Sequence, residues 1–555
     1  MDGREIRERF LSFFEQRDHV RVPSSPLIPP PESGLLLTNA GMNQFIPYFL
    51  GREEPPFRRS TTSQKCFRAV DIDNVGHTDR HLTFFEMLGN FSFGNYFKAD
   101  AIPWAHKLIT EGYGIDHELL WVTVYENDDE AAEVWIEATG VAPERIVRRG
   151  RVDEHGEPAN YWHTHAAGPA GPCSEIFVDR GAKYGPDGGP AVDEERFMEI
   201  WNLVFMQEEV DGEFKVIREL PAKNIDTGSS LERVATVLQG VDNVFETDLL
   251  RPLLEVVESL SGASHGQDPE KDVSLKIVAE HGRATSFLIG DGVFPSNEGR
   301  GYVLRRMLRR MVTHARRLGI EGGFTERLVG TTVELMGGAY PELAENRALI
   351  LQVASSEEER FAGTLRQGLV YFERPGAKEG RTFSGDDAFK LHDTFGFPRE
   401  LTAELAAEAG LDVDWTRFDE LMDEQRERAR GAVRRTEPGG DVAGMEPTEF
   451  VGYQQLEADV RIQRVLDDRG APVDVAQEGQ EIRLFLDRSP FYAESGGQVA
   501  DTGTIRTSSG LVRITDAQWT GPRAISHTGI VESGEIHAGD EAHAEVDAER
   551  REATA

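Results

Sequence analysis

Three stretches of the amino half, and one helix further on, combine side chains that packing alone does not demand. In SQKCFRAVDIDNVGHTDRHLTFFEMLGNFSFGNYF, residues 63–97, an arginine, a polar loop and an aromatic-dense strand follow one another. That order makes a hairpin whose interior could hold a planar base over an anionic group. Core packing accounts for Phe84, Phe91 and Phe93, but not for Arg68 beside them. In NIDTGSSLERVATVL, 224–238, an acid, a Gly-Ser turn and an arginine open a helix, although Asp-Thr-Gly followed by Ser is also an ordinary helix start. WHTHAAGPAGPCSEIFVD, 162–179, is a Gly/Pro-rich loop running into a strand that carries Glu175. Its His163 and His165, with Cys173 nearby, have metal-ligand chemistry. Two such residues flanking one position usually share a strand face and serve packing, so zinc is not expected there.

The fourth stretch, RGYVLRRMLRRMVTHARRLG at 300–319, is basic in a chain whose formal net charge is -37. At about 100° per residue, Arg305, Arg306, Arg309, Arg310, Arg316 and Arg317 fall within an arc of roughly 140°. Leu304, Met307, Leu308, Met311, Val312, Ala315 and Leu318 take the opposite side, so one face can be buried. No carboxylate lies between 302 and 318, and uncompensated guanidinium on one face is what a phosphate backbone recruits.

These residues need elements to hold them. The 555 residues suffice for about three or four domains at roughly 150 residues each. The hydrophobic content of 39% and the absence of any apolar run near the roughly 18 residues of a membrane span predict a soluble globular protein. Charges interrupt MDGREIRERFLSFFEQ, whose Ile6, Phe10, Phe13 and Phe14 have helical spacing, so it reads as an amphipathic helix and not as a signal peptide. Two cysteines cannot make a disulfide framework, which suits a cytoplasmic location. Residues 1–242 mix helices with strand-like runs such as LWVTVY and FMEIWNLVFMQEEV, an α+β pattern. From 243 helical periodicity dominates, up to a Gly-, Pro- and acid-rich stretch at 434–450 that sets a boundary near 440. From 441 to 555 short alternating runs such as EIRLFLD predict β structure.

Ten segments in order then resemble the class II aminoacyl-tRNA synthetases, and among them the alanine-specific family: LLLTNAGMNQF, TTSQKCFR, RHLTFFEMLGNFSFGNYF, GPCSEIF, EIWNLVFMQ, NIDTG, LERVATVLQ, SNEGRGYVLRR, LHDTFGFP and PFYAESGGQVADTG. The resemblance implies an antiparallel sheet flanked by helices that makes alanyl-adenylate from L-alanine and ATP. A helical domain that reads the tRNA(Ala) acceptor stem and a C-terminal β-barrel segment would follow it. The chemistry is largely the placing of two anions and the neutralising of their charge. By the resemblance Arg68 grips the α-phosphate and the amino-acid carboxylate, Phe85 stacks on adenine with His81 and Glu86 beside it, and Arg233 covers the other face of the base. Asp226 pairs with the substrate ammonium, while Trp162, Asn202, Val204 and Gly228 surround the alanine pocket; plain core packing would also explain Trp162 and Val204. Mg²⁺ would bridge phosphates on one or two carboxylates, with Glu175 and Glu199 the candidates beside Glu86. Asn297 and Asp393 match the pair that reads a G·U wobble, flanked by Arg305, Arg306, Arg309 and Arg310 on phosphates. A helix cap and a turn former are the plainer readings of those two.

Ser230 stands where the family commonly has a second glycine, and the 163–170 loop is unlike the family's. One methylene or hydroxyl is worth only about 1–3 kcal/mol, so such enzymes add an editing site. The final residues stop about where its zinc motif would begin, so a fragment that activates alanine but does not clear mischarged serine is expected, with zinc confined to the missing part. The alternatives are an alanine-activating ligase that loads a carrier protein, and a catalytically inactive tRNA-binding or regulatory module. Oligomeric state is not legible.

Overall fold

The computed structural model describes residues 1–551 except 31–32, 153–158, 164–166, 213–214, 375–380, 437–446, 453–454, 468–470, 494–499, 521–523 and 549. His165, the expected boundary near 440 and the middle of PFYAESGGQVADTG therefore lie outside the described residues. The chain divides into two compact units, Met1–Asp414 and Trp415–Ala555.

The first unit is built on a nine-stranded sheet. Its strands are β1 (Val20–Arg21), β2 (Arg59–Phe67), β3 (Phe84–Ser92), β4 (Leu120–Tyr125), β5 (Ile146–Arg149), β6 (Tyr161–His163), β7 (Gly168–Asp179), β8 (Phe197–Val210) and β9 (Val216–Ser230). They run in the order β1-β2-β3-β9-β8-β7-β4-β5, with β6 paired to β7. The central ladders are antiparallel; only the flanking β1–β2 and β4–β5 pairs are parallel. The amphipathic α1 (Gly3–Glu15) covers one face, burying Ile6, Phe10 and Phe14 against Trp201 and Leu203 of β8.

Every residue of β3 is buried, because helices close one of its faces and the cavity described below closes the other. Side chains alternate along a strand. Phe84 therefore turns to the helical side and stacks on Phe287, ring centroids 4.0 Å apart, while Phe85 and Met87 turn to the cavity. Phe287 lies on α3 (Pro269–Gly290), which is buried almost from end to end. Between the sheet and α3 comes α2 (Leu231–Gln239), opened by Ser230. Then follow the arginine helix α4 (Gly299–Arg317), α5 (Arg347–Glu373), α6 (Gly385–Phe395) and α7 (Arg399–Glu408). A helical stretch thus occupies the 243–414 part of the first unit. No helix among the described residues is long and apolar enough to cross a membrane.

In the second unit β10 (Glu457–Leu466), β11 (Glu481–Leu486), β12 (Gly503–Thr507), β13 (Gly510–Thr520), β14 (Ala524–His537) and β15 (Glu541–Val546) pair in the cycle β10-β11-β14-β13-β12-β15. The β10–β15 ladder returns to the start, which closes a six-stranded antiparallel barrel and removes its open edges. The expected alternation holds: Ile482, Leu484 and Leu486 point into the barrel core with Ile505, Val512 and Ile514.

Candidate active site

Five strands of the sheet, β3, β6, β7, β8 and β9, with the segment after β2 and the start of α2, enclose a cavity of about 230 Å³. Arg68, His81 and Phe85 line it together with Trp162, Glu175, Glu199, Asn202, Val204, Asp226, Gly228 and Arg233, residues scattered over 166 positions of sequence. A second hollow of about 190 Å³ adjoins it and shares His81, Glu175, Glu199 and Arg233.

Local structure explains each placement. On β9 the period of two carries Asp226, Gly228 and Ser230 to the cavity, and Thr227 and Ser229 behind it, where they bond Asn90 and the Ile200 carbonyl. On β8 plain alternation would put Glu199 opposite Asn202 and Val204. A bulge prevents this: Ile176 pairs with Trp201 but Phe177 pairs with Glu199, leaving Ile200 as the extra residue. Such bulges re-aim side chains, and here Glu199 joins Asn202 on the cavity wall. A Cβ on Gly228 would stand 2.7 Å from Met87 Sδ, so a larger residue there would displace the cavity floor. Ser230 has φ -74° and ψ 118°, torsions any residue adopts, and its Oγ accepts the Arg233 N–H as the cap of α2. Serine is thus accommodated where a second glycine is common.

Charge is arranged unevenly. Asp226 is buried, no donor among the described residues reaches its carboxylate, and burial pushes its pKa up to about 7. A buried acid with no donor among the described residues either keeps its proton or takes up a cation from the cavity. Glu175 accepts from Thr123 Oγ1 at 3.0 Å and from Asn202 Nδ2 at 3.3 Å; burial and the neighbouring Glu199 push it up to about 8. The Asn202 Oδ1 has no partner among the described residues. Arg233 donates to Glu199 Oε2 at 2.8 Å. Arg68 donates to the Asn39 carbonyl at 3.3 Å, and its guanidinium carbon lies 5.0 Å from the centre of the Phe85 ring. His81 is held by Thr78, 2.9 Å from its Nδ1, and burial lowers its pKa.

Glu175 and Glu199 fit a divalent ion, since mutual repulsion in a buried place is what such an ion relieves. No group of three or more potential metal ligands occurs among the described residues, and Mg²⁺ needs only one or two carboxylates besides phosphates.

Glu86 is a correction. The alternation that sends Phe85 into the cavity sends Glu86 to the opposite side of the sheet. There Arg7 grips it through two hydrogen bonds of 2.6 and 2.7 Å, and Tyr340 and Ser63 donate to it. Burial would raise its pKa, but Arg7 holds it below the usual range. It supports the sheet and does not line the cavity. Arg80, Asp71, Met87 and Tyr161 also line the cavity, beyond the residues named from the sequence, and so does His163, there weighed only for zinc. Met87 lies two residues past Phe85, so alternation alone would have found it.

The arginine helix is a second correction. The guanidinium groups of its four central arginines are compensated from other elements: Arg305 and Arg309 by Glu357 at 3.6 and 2.8 Å, Arg306 by Asp73 at 2.6 Å, Arg310 by Glu404 at 3.2 Å. Arg310 is 4% exposed, so no phosphate reaches it. Asn297 is exposed and accepts from Arg305; the helix is capped at Glu298, not at Asn297. Asp393 is exposed in the last turn of α6 and not in a turn after it. Arg309 donates to the Gly396 carbonyl at the end of that helix.

The tRNA synthetases class II (A) family profile matches residues 5–550, and the chain belongs to that family. The alanine–tRNA ligases of Corynebacterium efficiens and Frankia alni are each 49% identical to it, over 576 and 573 aligned positions, and that of Thermobifida fusca 47% over 577. These alignments span 100%, 100% and 99% of this chain and 64% of each relative. Among solved structures, apo histidyl-tRNA synthetase of S. aureus covers 43% of this chain, and 66% of that one, at 11% identity and a TM-score of 0.29.

Proposed function

We propose that this chain carries the alanine-activating and alanine-transferring part of an alanine–tRNA ligase. The observation that carries the reading is the buried carboxylate of Asp226, without a donor among the described residues, in a cavity shared with Arg68, Phe85 and Arg233. The names of the relatives support alanine as the substrate and tRNA as the acceptor.

In the first step an alanine carboxylate oxygen attacks the α-phosphorus of ATP, the bond to the β-phosphate oxygen breaks and pyrophosphate leaves. In the second a terminal ribose hydroxyl of tRNA(Ala) attacks the alanyl carbonyl, loses its proton and expels AMP. Asp226 pairs with the substrate ammonium. Trp162 and Val204 bound the methyl group, and Asn202 offers beside it an amide oxygen that has no partner among the described residues. Arg68 spans the substrate carboxylate and α-phosphate with its planar fork, and neutralises the charge that develops there. Phe85 and Arg233 take the two faces of adenine. Glu175 and Glu199 would hold Mg²⁺, which would neutralise the phosphate oxygens.

The acceptor stem would dock on α4 and α6, with Asn297 and Asp393 testing base edges of the G·U pair. Exposure of both side chains supports this. An inactive regulatory module would require a damaged cavity, and the gathering of Arg68, Phe85, Asp226 and Arg233 around one cavity speaks against it. Alanine-dependent exchange of labelled pyrophosphate into ATP tests activation, and charging of tRNA(Ala) against a G·C-substituted transcript tests recognition. Exchange without any charging would favour the carrier-protein alternative; no exchange refutes the reading.

A further inference from the structure

The four central arginines of α4 form two pairs spaced by four residues, and the pairs face different parts of the molecule. Arg305 and Arg309 meet at Glu357, a buried carboxylate of α5. From there Arg305 reaches Asn297 and the Pro295 carbonyl, and Arg309 reaches the Gly396 carbonyl. Arg306 and Arg310 stand about 100° further round the helix. They turn to the segment that follows Arg68: Arg306 donates to Asp73 Oδ1 at 2.6 Å, and Arg310 to the Ile72 carbonyl at 2.9 Å.

That segment is short and tightly tied. The Arg68 N–H bonds the Thr83 carbonyl at 2.8 Å, which joins its first residue to the start of β3. The Asp71 N–H returns to the Arg68 carbonyl at 3.2 Å, and the Val75 N–H to the Asp71 carbonyl at 3.2 Å. Asp71 lines the cavity beside Arg68. Between the cavity wall and α4 there are thus only one or two residues of backbone. The anchors on the helix side are unlike in strength. Arg310 is buried and gives a charge-assisted bond to a carbonyl while paired with Glu404. Arg306 is 13% exposed, but its partner Asp73 is 69% exposed, so this contact is modest and can be removed without threatening the fold.

We propose that Arg306 and Arg310 are positioning residues of the nucleotide cavity: by holding Ile72 and Asp73 they set Arg68 and Asp71 for ATP before any tRNA is bound. The inference rests on reading the cavity as the ATP site, and does not depend on how tRNA is recognised. It gives this helix a role in adenylation, where a phosphate-binding face would act only on tRNA.

The test compares the full chain with Arg306→Gln, Asp73→Asn and the double variant in alanine-dependent pyrophosphate exchange without tRNA. The KM for ATP should rise by about threefold to tenfold in either single variant, the scale of a partly exposed ion pair with its ordering effect on the loop. The kcat and the KM for alanine should stay within about twofold, because the contact acts on where ATP's arginine stands. The double variant should be no worse than Arg306→Gln, which gives up the Asp73 contact together with a longer 3.7 Å pair to Glu400. An ATP KM that is unchanged, whether or not tRNA binding falls, overturns the proposal, and so does an additive double variant. The same ratios read as ATP dissociation constants by calorimetry hold even for a chain that does not turn over. Failure of exchange in the unsubstituted chain would therefore count against the ligase reading alone.

Discussion

Glu199 and Arg233, from different elements, are joined at the cavity wall by a 2.8 Å hydrogen bond between Oε2 and Nη1, and a second from Arg233 to the Glu199 carbonyl measures 3.3 Å. The bulge at Ile200 makes the pairing possible, by turning Glu199 to the side where Arg233 rises from the first turn of α2. Glu199 therefore orients Arg233, and on the proposed reading it would also form with Glu175 the acidic pair that holds Mg²⁺.

Glu199→Gln keeps an acceptor for Arg233 and removes one negative charge. Half-saturating Mg²⁺ in pyrophosphate exchange should rise by about tenfold, the usual scale for losing one charged ligand contact of about 1.4 kcal/mol. Glu175, relieved of a like-charged neighbour, should titrate below its present value of about 8. A Mg²⁺ dependence identical to that of the unsubstituted chain would place the metal away from this pair.

Asp226 should impose a pH dependence on alanine use. Its carboxyl has an ordinary value of 3.8 and is pushed up to about 7 by burial. Below pH 7 it becomes protonated and can no longer pair with an ammonium group, so kcat/KM for alanine should fall about tenfold per pH unit there, as for one essential base. The sign for stability is opposite to that of a salt-bridged acid. The folded form binds this proton more tightly than the unfolded form, so stability falls as pH rises from about 4 to about 7. Asp226→Asn should therefore unfold at a higher temperature than the unsubstituted chain at pH 8, with the gap narrowing towards pH 5. A gap that is the same at both pH values would show that the carboxyl is not perturbed.

Arg310 and Asn297 should separate stability from recognition. Arg310→Ala leaves Glu404 without its guanidinium partner and the Ile72 carbonyl without its donor, a loss of about 3 kcal/mol by analogy with broken buried pairs. The melting temperature should drop by several degrees. Asn297→Ala lies on the surface and should leave melting and exchange alone while weakening discrimination between G·U and G·C acceptor stems. Equal loss of charging with no loss of stability in Arg310→Ala would return that arginine to the tRNA surface.

What could be read from the chain alone was whatever depends on neighbours a few residues apart. The period of two in EIRLFLD placed Ile482, Leu484 and Leu486 in the barrel core, and amphipathic spacing named Ile6, Phe10 and Phe14 of α1 and Leu304, Met307 and Met311 of α4 as buried, although Arg310, assigned to the open face of α4, is buried too. The motif resemblance drew Arg68, Phe85, Asp226 and Arg233 from distant segments, and the fold brings them to one cavity. Tertiary structure decided the rest, because electrostatic partners are set through space. The arginine helix looked uncompensated since its carboxylates stand 48, 94 and 233 positions away, at Glu357, Glu404 and Asp73. Glu86 looked available because nothing near it in sequence announces Arg7, 79 positions earlier, or Tyr340, 254 later. The bulge that re-aims Glu199 is a register shift between two strands, and a register belongs to a pair of strands, not to either one's sequence.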